Sequence, residues 1–419
     1  MGLVNVYAIV AVPVFVLIFA EIAYCLIKKN GFYTFQDSLI GLGTMAMAQC
    51  VNVALVAPIL SLYTWVYSYS FFQFENTWWS LILCYIGCDF LFYWFHRAGH
   101  RVSIFWAAHV PHHSAEELNY AVALRASLTQ RIASFLFYWP LCLLGFTPET
   151  VITIVAINLV YQLIPHTRVI RHYPKWIEAW LNSPYHHQVH HAANPIYWDK
   201  NYGGTLIIWD KMFGTYQAQV EPVYYGISVP PKSWNPFYIN FQWYMIIFKD
   251  IMATKYWVDK IKILFMTPSW RPRDLEPHKD LPSTGYIPPA KYTSSAMKNS
   301  IPYLVFQLVL TFYTLFPVIS HKTPLDMFQI YQFSALVFFS VYNWSLFLEA
   351  KPYAKISEAI RLFLLCGFMY VIPVNESYPL MKTIIYITSV LSFLYMMFVI
   401  DSKTTEPAPD TRHVVVPIG

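Results

Sequence analysis

The residues in this chain that are best suited to chemistry are histidines, and they are unevenly distributed. Eleven of the 14 histidines lie between residues 95 and 191. Nine of these form three motifs: His96 and His100 in the first, His109, His112 and His113 in the second, and His186, His187, His190 and His191 in the third. His166 and His172 lie between the second motif and the third. Residues three or four apart share one face of a helix, so each motif can present two or three imidazoles to one point.

This number of imidazoles predicts a metal centre. Imidazole binds iron, zinc, copper and nickel. A closed zinc site needs only about four ligands, so eight or nine histidines favour two metal ions. Two irons held by nitrogen ligands can activate oxygen, whereas zinc has no redox chemistry. The alternative is that each histidine is a packed core residue, which is common for one histidine and uncommon for three motifs at helical spacing.

A ligating imidazole must be neutral and must be oriented by a partner on its other nitrogen. Asp89 lies seven residues before His96, two turns along one face of a predicted membrane helix. Because a carboxylate inside a membrane is expensive and by default functional, Asp89 is predicted to orient a histidine. Asn119, Asp199 and Asn201 are weaker candidates for the same role, with surface roles as the alternative. Glu21 is expected to reach toward lipid headgroups.

The composition predicts an integral membrane protein. The chain has 419 residues, of which 57% are hydrophobic and only 12% are charged. Soluble domains carry about 25% charged residues. The net charge of +5 gives no indication of nucleic acid and is attributed to basic residues near lipid headgroups. The six cysteines lie in apolar stretches, so neither disulfides nor a catalytic thiol is expected.

Apolar runs define the elements that would position the histidines. Runs of spanning length occur at about 3–27, 38–67, 78–96, 300–320, 327–349, 357–374 and 381–400. The run at 132–165 is interrupted by Gly145 and Pro148, which predicts a helical hairpin that enters the bilayer and returns to the same side. The sequence therefore predicts an all-α polytopic membrane protein with about nine membrane segments. The hairpin would bring the second and third motifs to the same side.

Basic residues predict the orientation. They follow the first segment, the third segment and the hairpin, and they mark the loop at 350–356. If these sites face the cytosol, every histidine motif does too. The opposite loop carries a glycosylation sequon at 375–377. A metal transporter would need its ligands near the bilayer centre, whereas these motifs lie at helix ends. The residues thus predict a membrane oxidase or hydroxylase that acts on a lipid.

The chain is divided into five predicted parts. They are N-terminal membrane helices at 1–77, a histidine-motif domain at 78–235, a cytosolic linker at 236–299, C-terminal membrane helices at 300–401 and a cytosolic tail at 402–419. The stretch at 267–292 is rich in proline and charge, which is typical of an irregular surface segment. A glycine-rich phosphate loop is lacking, so a bound nicotinamide or flavin domain is not expected.

Three stretches carry a resemblance to a known family. DFLFYWFHRAGH, WAAHVPHHSAEELNYAVALR and NSPYHHQVHHAANPIYWDKNYGGTLIIWDKMFGT resemble the fatty acid hydroxylase superfamily of membrane di-iron enzymes over about 78–220. The apolar helices at 300–400 favour its alkylglycerol monooxygenase branch. The resemblance implies iron ligands at His96, His100, His109, His112, His113, His187, His190 and His191, with His166 as a ninth ligand or, alternatively, a packing residue. Gln162 stands where some members carry a further histidine, which implies that one metal is less fully coordinated. His186 is expected to orient a neighbour or, alternatively, to contact metal.

The resemblance also implies an activity. Tetrahydrobiopterin and molecular oxygen would be used to hydroxylate the ether-linked carbon of an alkylglycerol, and the hemiacetal would collapse to a fatty aldehyde and a glycerol derivative. The implied setting is the endoplasmic reticulum membrane, with a pterin recycling system as partner. The alternatives are a sterol or fatty acyl hydroxylase or desaturase supplied by a b-type cytochrome, and an inactive lipid-binding relative. Glu116 and Glu117 would face the pterin or form a solvated turn; otherwise no pterin-binding residue is predicted.

Overall fold

The computed structural model describes residues 6–277, 281–320, 326–371 and 380–404. The predicted sequon at 375–377 and most of the predicted tail lie outside these ranges. The helices are α1 (Val6–Lys28), α2 (Phe35–Tyr67), α3 (Trp78–Arg101), α4 (Ser103–His113), α5 (Tyr120–Ala123), α6 (Gln130–Leu144), α7 (Pro148–Leu163), α8 (Lys175–Glu178), α9 (Pro184–His190), α10 (Ile208–Met212), α11 (Pro236–Ala253), α12 (Trp257–Phe265), α13 (Ser300–Ser320), α14 (Met327–Leu348), α15 (Ala354–Val371) and α16 (Met381–Phe398). A 3₁₀ turn at Pro195–Tyr197 and two short antiparallel strands, β1 (Met297–Lys298) and β2 (Asp401–Thr404), complete the described regular structure. The predicted all-α class is confirmed.

Membrane character is evident in the long helices. Among the described residues, four stretches are long and apolar enough to cross a membrane: Ile9–Lys28, Phe35–Tyr67, Trp78–Arg101 and Met381–Phe398. Helices α13, α14 and α15 lie over three more of the predicted segments. The chain is therefore a multi-helix membrane protein. The count of nine segments and the cytosolic orientation stay predictions.

The predicted hairpin is formed by α6 and α7. Gly145 ends α6 with a φ of +121°, and a Cβ atom at this position would lie 2.2 Å from the carbonyl oxygen of Phe72. Only glycine fits both the left-handed backbone and this close approach. Thr147 then caps α7 by accepting a hydrogen bond from the amide of Thr150, and Pro148 takes the first helical position.

Helix α2 lies at the centre of the molecule and packs against α6 on one side and against α13 and α14 on another. A Cβ atom on Gly43 would lie 2.6 Å from Cγ1 of Val341 and 2.8 Å from the ring of Trp344. The absence of a side chain at Gly43 thus lets α2 approach α14 closely. One hydrophobic core joins α2 to the C-terminal helices, and a second joins α2 to α3, α6 and α7.

The segment predicted as a linker at 236–299 begins with two helices, α11 and α12. Asn235 caps α11 by accepting hydrogen bonds from the amides of Phe237 and Tyr238. Trp243 and Ile247 of α11 pack against Ala107 and Val110 of α4 in one buried cluster. Helix α11 therefore supports the helix that carries the second histidine motif.

Candidate metal centre

Four elements bring the histidines together. His96 and His100 lie on the last two turns of α3, and Val102 alone separates this helix from α4, which carries the second motif. The third motif lies on α9, whose first turn holds Pro184. His166 follows directly after α7. The hairpin thus returns the chain to the same place, as the sequence predicted.

The nine histidines that were predicted as ligands form two clusters. The first, called the five-histidine cluster, contains His96, His100, His109, His113 and His190; the second, called the four-histidine cluster, contains His112, His166, His187 and His191. Within each cluster, the potential ligand nitrogens all lie within 4.8 Å of one another. The clusters are adjacent, because the rings of His113 and His191 are stacked with their centroids 4.3 Å apart.

The division follows helical spacing. Two histidines four residues apart lie on one helix face and enter the same cluster, as His109 and His113 do, and as His187 and His191 do. His112 of the second motif and His190 of the third each enter the other cluster, and His186 enters neither. The second and third motifs therefore each contribute to both clusters, which couples the two clusters through single helices.

The donor set fits metal ions. Nε2 of His96 and Nε2 of His113 each lie 3.0 Å from Nε2 of His109. Nε2 of His100, His190 and His191 is buried without a hydrogen-bond partner in the described part of the chain. Unpaired buried nitrogens are unfavourable unless something else binds them. Nitrogens that converge on two points, three of them without a protein partner among the described residues, are the arrangement that two bound cations would satisfy.

Backbone carbonyls orient these rings. Nδ1 of His96 lies 2.8 Å from the carbonyl oxygen of Tyr202, and Nδ1 of His190 lies 3.0 Å from that of Lys200. In the four-histidine cluster, Nδ1 of His112 lies 3.2 Å from the carbonyl oxygen of Arg125, and Nδ1 of His166 lies 2.7 Å from that of Gln162. A carbonyl only accepts, so Nδ1 carries the proton and donates. The lone pair of Nε2 is then free to bind a metal.

Burial keeps the rings neutral. Removal from water lowers the pKa of His112 to about 4 and that of His190 to about 3. The same cause lowers the pKa of His109, His113 and His166 well below the ordinary value. At neutral pH these imidazoles are uncharged, which is the form that ligates metal.

A cavity of about 230 Å³ adjoins both clusters. His96 and His109 of the five-histidine cluster line it together with His112, His166 and His187 of the four-histidine cluster. Its other walls come from α2, α3, α6 and α7 and from the loops at 124–127 and 203–204. A molecule in this cavity would therefore lie between apolar helices and would contact the metal-binding region directly.

Comparison with known proteins shows which family the chain belongs to. Residues 81–215 match the fatty acid hydroxylase family. The alkylglycerol monooxygenase of Xenopus tropicalis is 33% identical over 341 residues, which cover 78% of this chain and 74% of the relative. The alkylglycerol monooxygenase of Danio rerio is 31% identical over 375 residues, covering 87% and 83%. The chain belongs to the alkylglycerol monooxygenase family.

The Homo sapiens alkylglycerol monooxygenase is 35% identical over 287 residues, which cover 68% of this chain and 63% of the human protein. No solved structure matches the chain. The resemblance inferred from the histidine motifs is thus confirmed, and this member of the alkylglycerol monooxygenase family is a membrane monooxygenase.

In this alkylglycerol monooxygenase relative, the prediction for Asp89 was wrong. Its carboxylate accepts hydrogen bonds from Nδ2 of Asn158 at 2.9 Å, from the amides of Thr205 and Leu206 at 2.7 and 3.0 Å, and from Nε1 of Trp209 at 2.9 Å. None of these donors is a histidine. Asp89 is fully buried and holds the loop before α10 against α3. It binds two backbone amides and two side chains, and none of these is an imidazole.

The weaker candidates for orienting residues have other roles as well. Asn119 caps α5 through the amide of Val122, and Nδ2 of Asn119 donates to the carbonyl of Phe32. Asp199 forms an exposed ion pair with Arg101 at 2.6 Å. Asn201 donates to the carbonyl oxygens of His186 and Gln217. These contacts fix loops around the clusters, and the histidine side chains are oriented by main-chain oxygens instead.

The prediction for Glu21 was wrong, and for Glu116 and Glu117 one of the two predicted alternatives is excluded. Glu21 does not reach toward headgroups: it is 5% exposed and accepts hydrogen bonds from Tyr33, Thr167 and the amide of Tyr120. Glu116 and Glu117 do not form a solvated turn. Burial raises the pKa of Glu116 to about 7, and its carboxylate accepts a hydrogen bond from the amide of Tyr292 at 2.7 Å.

Sequence reasoning missed a buried ion network beside the four-histidine cluster. Glu117 pairs with Arg168 and lies 2.6 Å from Nζ of Lys291. Arg125 pairs with Asp37, and the same Arg125 supplies the carbonyl that orients His112. All five side chains are at most 5% exposed. The presence of arginines close after the second motif and after His166 was the only signal available in the sequence.

The remaining candidates lie outside the clusters. Nδ1 of His186 accepts a hydrogen bond from the amide of Ser183 at 3.4 Å and lies 3.4 Å from its hydroxyl oxygen, so His186 completes a capping box at the start of α9. The Gln162 side chain donates to Oδ1 of Asn158 at 2.6 Å. His172 pairs with Glu178 at 3.2 Å and is partly exposed.

Proposed function

We propose that this chain is a membrane-bound di-iron monooxygenase that hydroxylates the ether-linked carbon of alkylglycerol lipids. The observation that carries the proposal is the pair of adjacent histidine clusters opening on one cavity between membrane helices. The relatives named alkylglycerol monooxygenase supply the substrate class. The proposed iron ligands are His96, His100, His109, His113 and His190 for one ion and His112, His166, His187 and His191 for the other.

When bound, iron and tetrahydrobiopterin would supply the activation of O₂ and its electrons, so that one oxygen atom enters a C–H bond of the ether carbon and the other leaves as water. The resulting hemiacetal breaks its carbon–oxygen bond to give a fatty aldehyde and a glycerol derivative. The two electrons and two protons that the water requires would come from the pterin, which would itself be oxidised to a dihydropterin, so atoms and electrons balance.

The protein's own part in this reaction is positioning and exclusion of water. Carbonyl oxygens of Tyr202, Lys200 and Arg125 fix the rings of three proposed ligands, which keeps Nε2 directed inward. The cavity walls from α2, α6 and α7 hold the lipid against the clusters. Closing such a site to bulk water prevents the loss of reactive species to side reactions.

We further propose that the protein lies in the endoplasmic reticulum membrane with its histidine clusters facing the cytosol. Basic residues in the last turns of α1 and α3 and in the segment after α7 support this orientation through the positive-inside rule. Exposed Trp176 and Trp180 around α8 suit the membrane interface. A cytosolic site would receive tetrahydrobiopterin and could exchange it with a pterin recycling system.

The first experiment uses membranes that contain the protein. They are incubated with an alkylglycerol and oxygen, with or without tetrahydrobiopterin, and fatty aldehyde is measured. Aldehyde that depends on the pterin is the expected result. Aldehyde supported by a b-type cytochrome and its reductase, but not by the pterin, would contradict the cofactor assignment. Iron-containing protein that forms no aldehyde would redirect the search to sterol and fatty acyl substrates.

A second experiment tests the ligands. His112→Ala and His187→Ala each remove one nitrogen from the four-histidine cluster, and both are expected to abolish aldehyde formation while leaving membrane insertion intact. The matched control is His172→Ala, which removes a partly exposed histidine outside both clusters. Near-normal activity in either cluster variant would contradict the assignment. The double variant should be no worse than the single ones, because ligands of one site act as a unit.

A further inference from the structure

One face of α2 forms a wall of the cavity beside the histidine clusters. Met45, Ala48, Gln49 and Asn52 all line the cavity. Their spacing of three and four residues places them on a single helix face. Helix α2 is also among the helices that can cross a membrane, and Gln49 and Asn52 lie near its middle. Two amide side chains are therefore located where apolar residues would be the default.

These two amides differ from the other amides around the cavity. Gln162 donates to Asn158 at 2.6 Å, Asn182 donates to the carbonyl of Gly203 at 2.6 Å, and Gln130 lies 3.4 Å from Nδ1 of His109. Gln49 and Asn52 make no side-chain hydrogen bond with any residue in the described ranges. Polar groups inside a membrane are expensive, so they are retained where they contact a substrate or a pathway.

The rest of the lining shows what kind of molecule fits. Phe92, Phe95 and Leu159 contribute apolar side chains from α3 and α7. The cavity thus has an apolar part and a wall with free amide donors and acceptors. At about 230 Å³ it is smaller than the usual range of about 300–1,000 Å³ for ligand pockets, so it can hold only one end of a lipid.

We propose that Gln49 and Asn52 bind the hydroxyl groups of the glycerol end of the substrate and thereby determine specificity for it. This inference rests on the proposed function. Each amide offers two donor hydrogens and one acceptor oxygen, which match vicinal hydroxyl groups. With the glycerol end held by α2, the adjoining ether carbon faces the clusters, and the alkyl chain continues along the apolar lining. An ether lacking a hydroxyl would leave an amide of the cavity wall unpaired.

The test compares binding of two ligands to purified protein, without oxygen or pterin, so that no turnover occurs. The ligands are hexadecylglycerol and a hexadecyl ether of propanediol that lacks one hydroxyl. The wild-type protein should bind the glycerol ether about tenfold more tightly, which is the effect of one or two neutral hydrogen bonds. Gln49→Met and Asn52→Leu keep the side-chain size without the amide, and each should remove most of that preference.

Two controls accompany the comparison. The first is Ser61→Leu. Ser61 is exposed on α2, and its hydroxyl donates to the carbonyl oxygen of Ala57 at 3.0 Å. This variant should keep the wild-type preference for the glycerol ether. Asn52→Gln keeps the amide and should retain part of it. In turnover, KM for the glycerol ether should rise in Gln49→Met and Asn52→Leu more than kcat falls, with iron content unchanged.

The outcomes separate the two proposals. Variants with wild-type iron content that still prefer the glycerol ether tenfold would overturn the assignment of Gln49 and Asn52. So would a wild-type protein that binds both ethers equally. A wild-type protein that shows the preference, loses it in the variants, and yet forms no aldehyde would support the binding site and contradict the proposed function.

Discussion

Glu117→Gln is the substitution whose effect on stability can be worked out most directly from the structure. The Glu117 carboxylate pairs with Arg168 and with Lys291, and the exposures of the three side chains are 1%, 1% and 5%. Removing its charge leaves two buried cations without their direct counter-ion. Breaking a buried ion pair in this way costs about 3–5 kcal/mol, because desolvation is no longer offset.

The matched control is Asp199→Asn. Asp199 pairs with Arg101, but these side chains are 36% and 52% exposed. An ion pair so open to solvent is worth about 0–1 kcal/mol. The two substitutions make the same chemical change and differ in burial.

The assay is thermal unfolding of purified protein in detergent. An unfolding entropy of about 2.1 cal/mol/K per residue gives about 0.9 kcal/mol/K for this chain length. Glu117→Gln should therefore lower the Tm by about 3–6 °C, and Asp199→Asn by about 1 °C or less. Equal shifts in the two variants would refute the view that burial makes the Glu117 pairs strong. Iron content should also fall in Glu117→Gln, since Arg168 lies two residues from His166 in sequence.

Three other predictions follow from particular contacts. His100→Ala and His191→Ala remove ligands from different clusters, so each should lower iron per chain by about half by elemental analysis, and full iron in either variant would contradict the division. In Asp89→Asn the new amide NH2 group would face hydrogen-bond donors. The substitution should therefore lower the free energy of unfolding by about 1–3 kcal/mol and speed amide hydrogen exchange in the loop before α10. Unchanged exchange would count against this role of Asp89. Gly43→Val should overpack the contact of α2 with α14 and destabilise by about 1–3 kcal/mol, whereas Gly367→Val, where a Cβ meets no atom within 4 Å, should have little effect on Tm.

The sequence predicted which histidines lie close together better than it predicted how they are divided between two clusters. Spacing along a helix shows which imidazoles share a face, and that information is local. The division into two clusters depends on how α3, α4 and α9 pack against one another, and no single motif contains this. His112 and His113 are neighbours in sequence, yet they enter different clusters.

The errors about Asp89 and Glu117 have physical reasons. Seven residues along a helix correspond to about 10 Å, so Asp89 shares a face with His96 but is too far away to touch it. The groups that orient the histidine rings are backbone carbonyls. Every residue type supplies such a carbonyl, so the sequence carries no signal for it. Glu117 is buried because Arg168 and Lys291, 51 and 174 residues later, meet it there.

The helices also differ in how well the sequence predicted them. Hydropathy correctly predicted where the long helices lie, since apolar runs of about 20 residues read directly as helices of spanning length. The glycine at the α6–α7 turn was also recognisable. The helices α11 and α12 within 236–265 were not predicted, because their apolar residues were assigned to a linker.

The position of Lys291 bears on whether the part of the chain that holds the histidines can fold without the rest. The family match ends at residue 215, and every histidine of the two clusters precedes it, so the catalytic part looks separable by sequence. The strap formed by Lys291 and Tyr292, which binds Glu117 and Glu116, comes from a part of the chain beyond α12. A fragment cut after residue 235 would lose that strap as well as α11, which supports α4. Residues beyond 235 are therefore expected to be needed for the histidine clusters to form, although none of them belongs to a cluster.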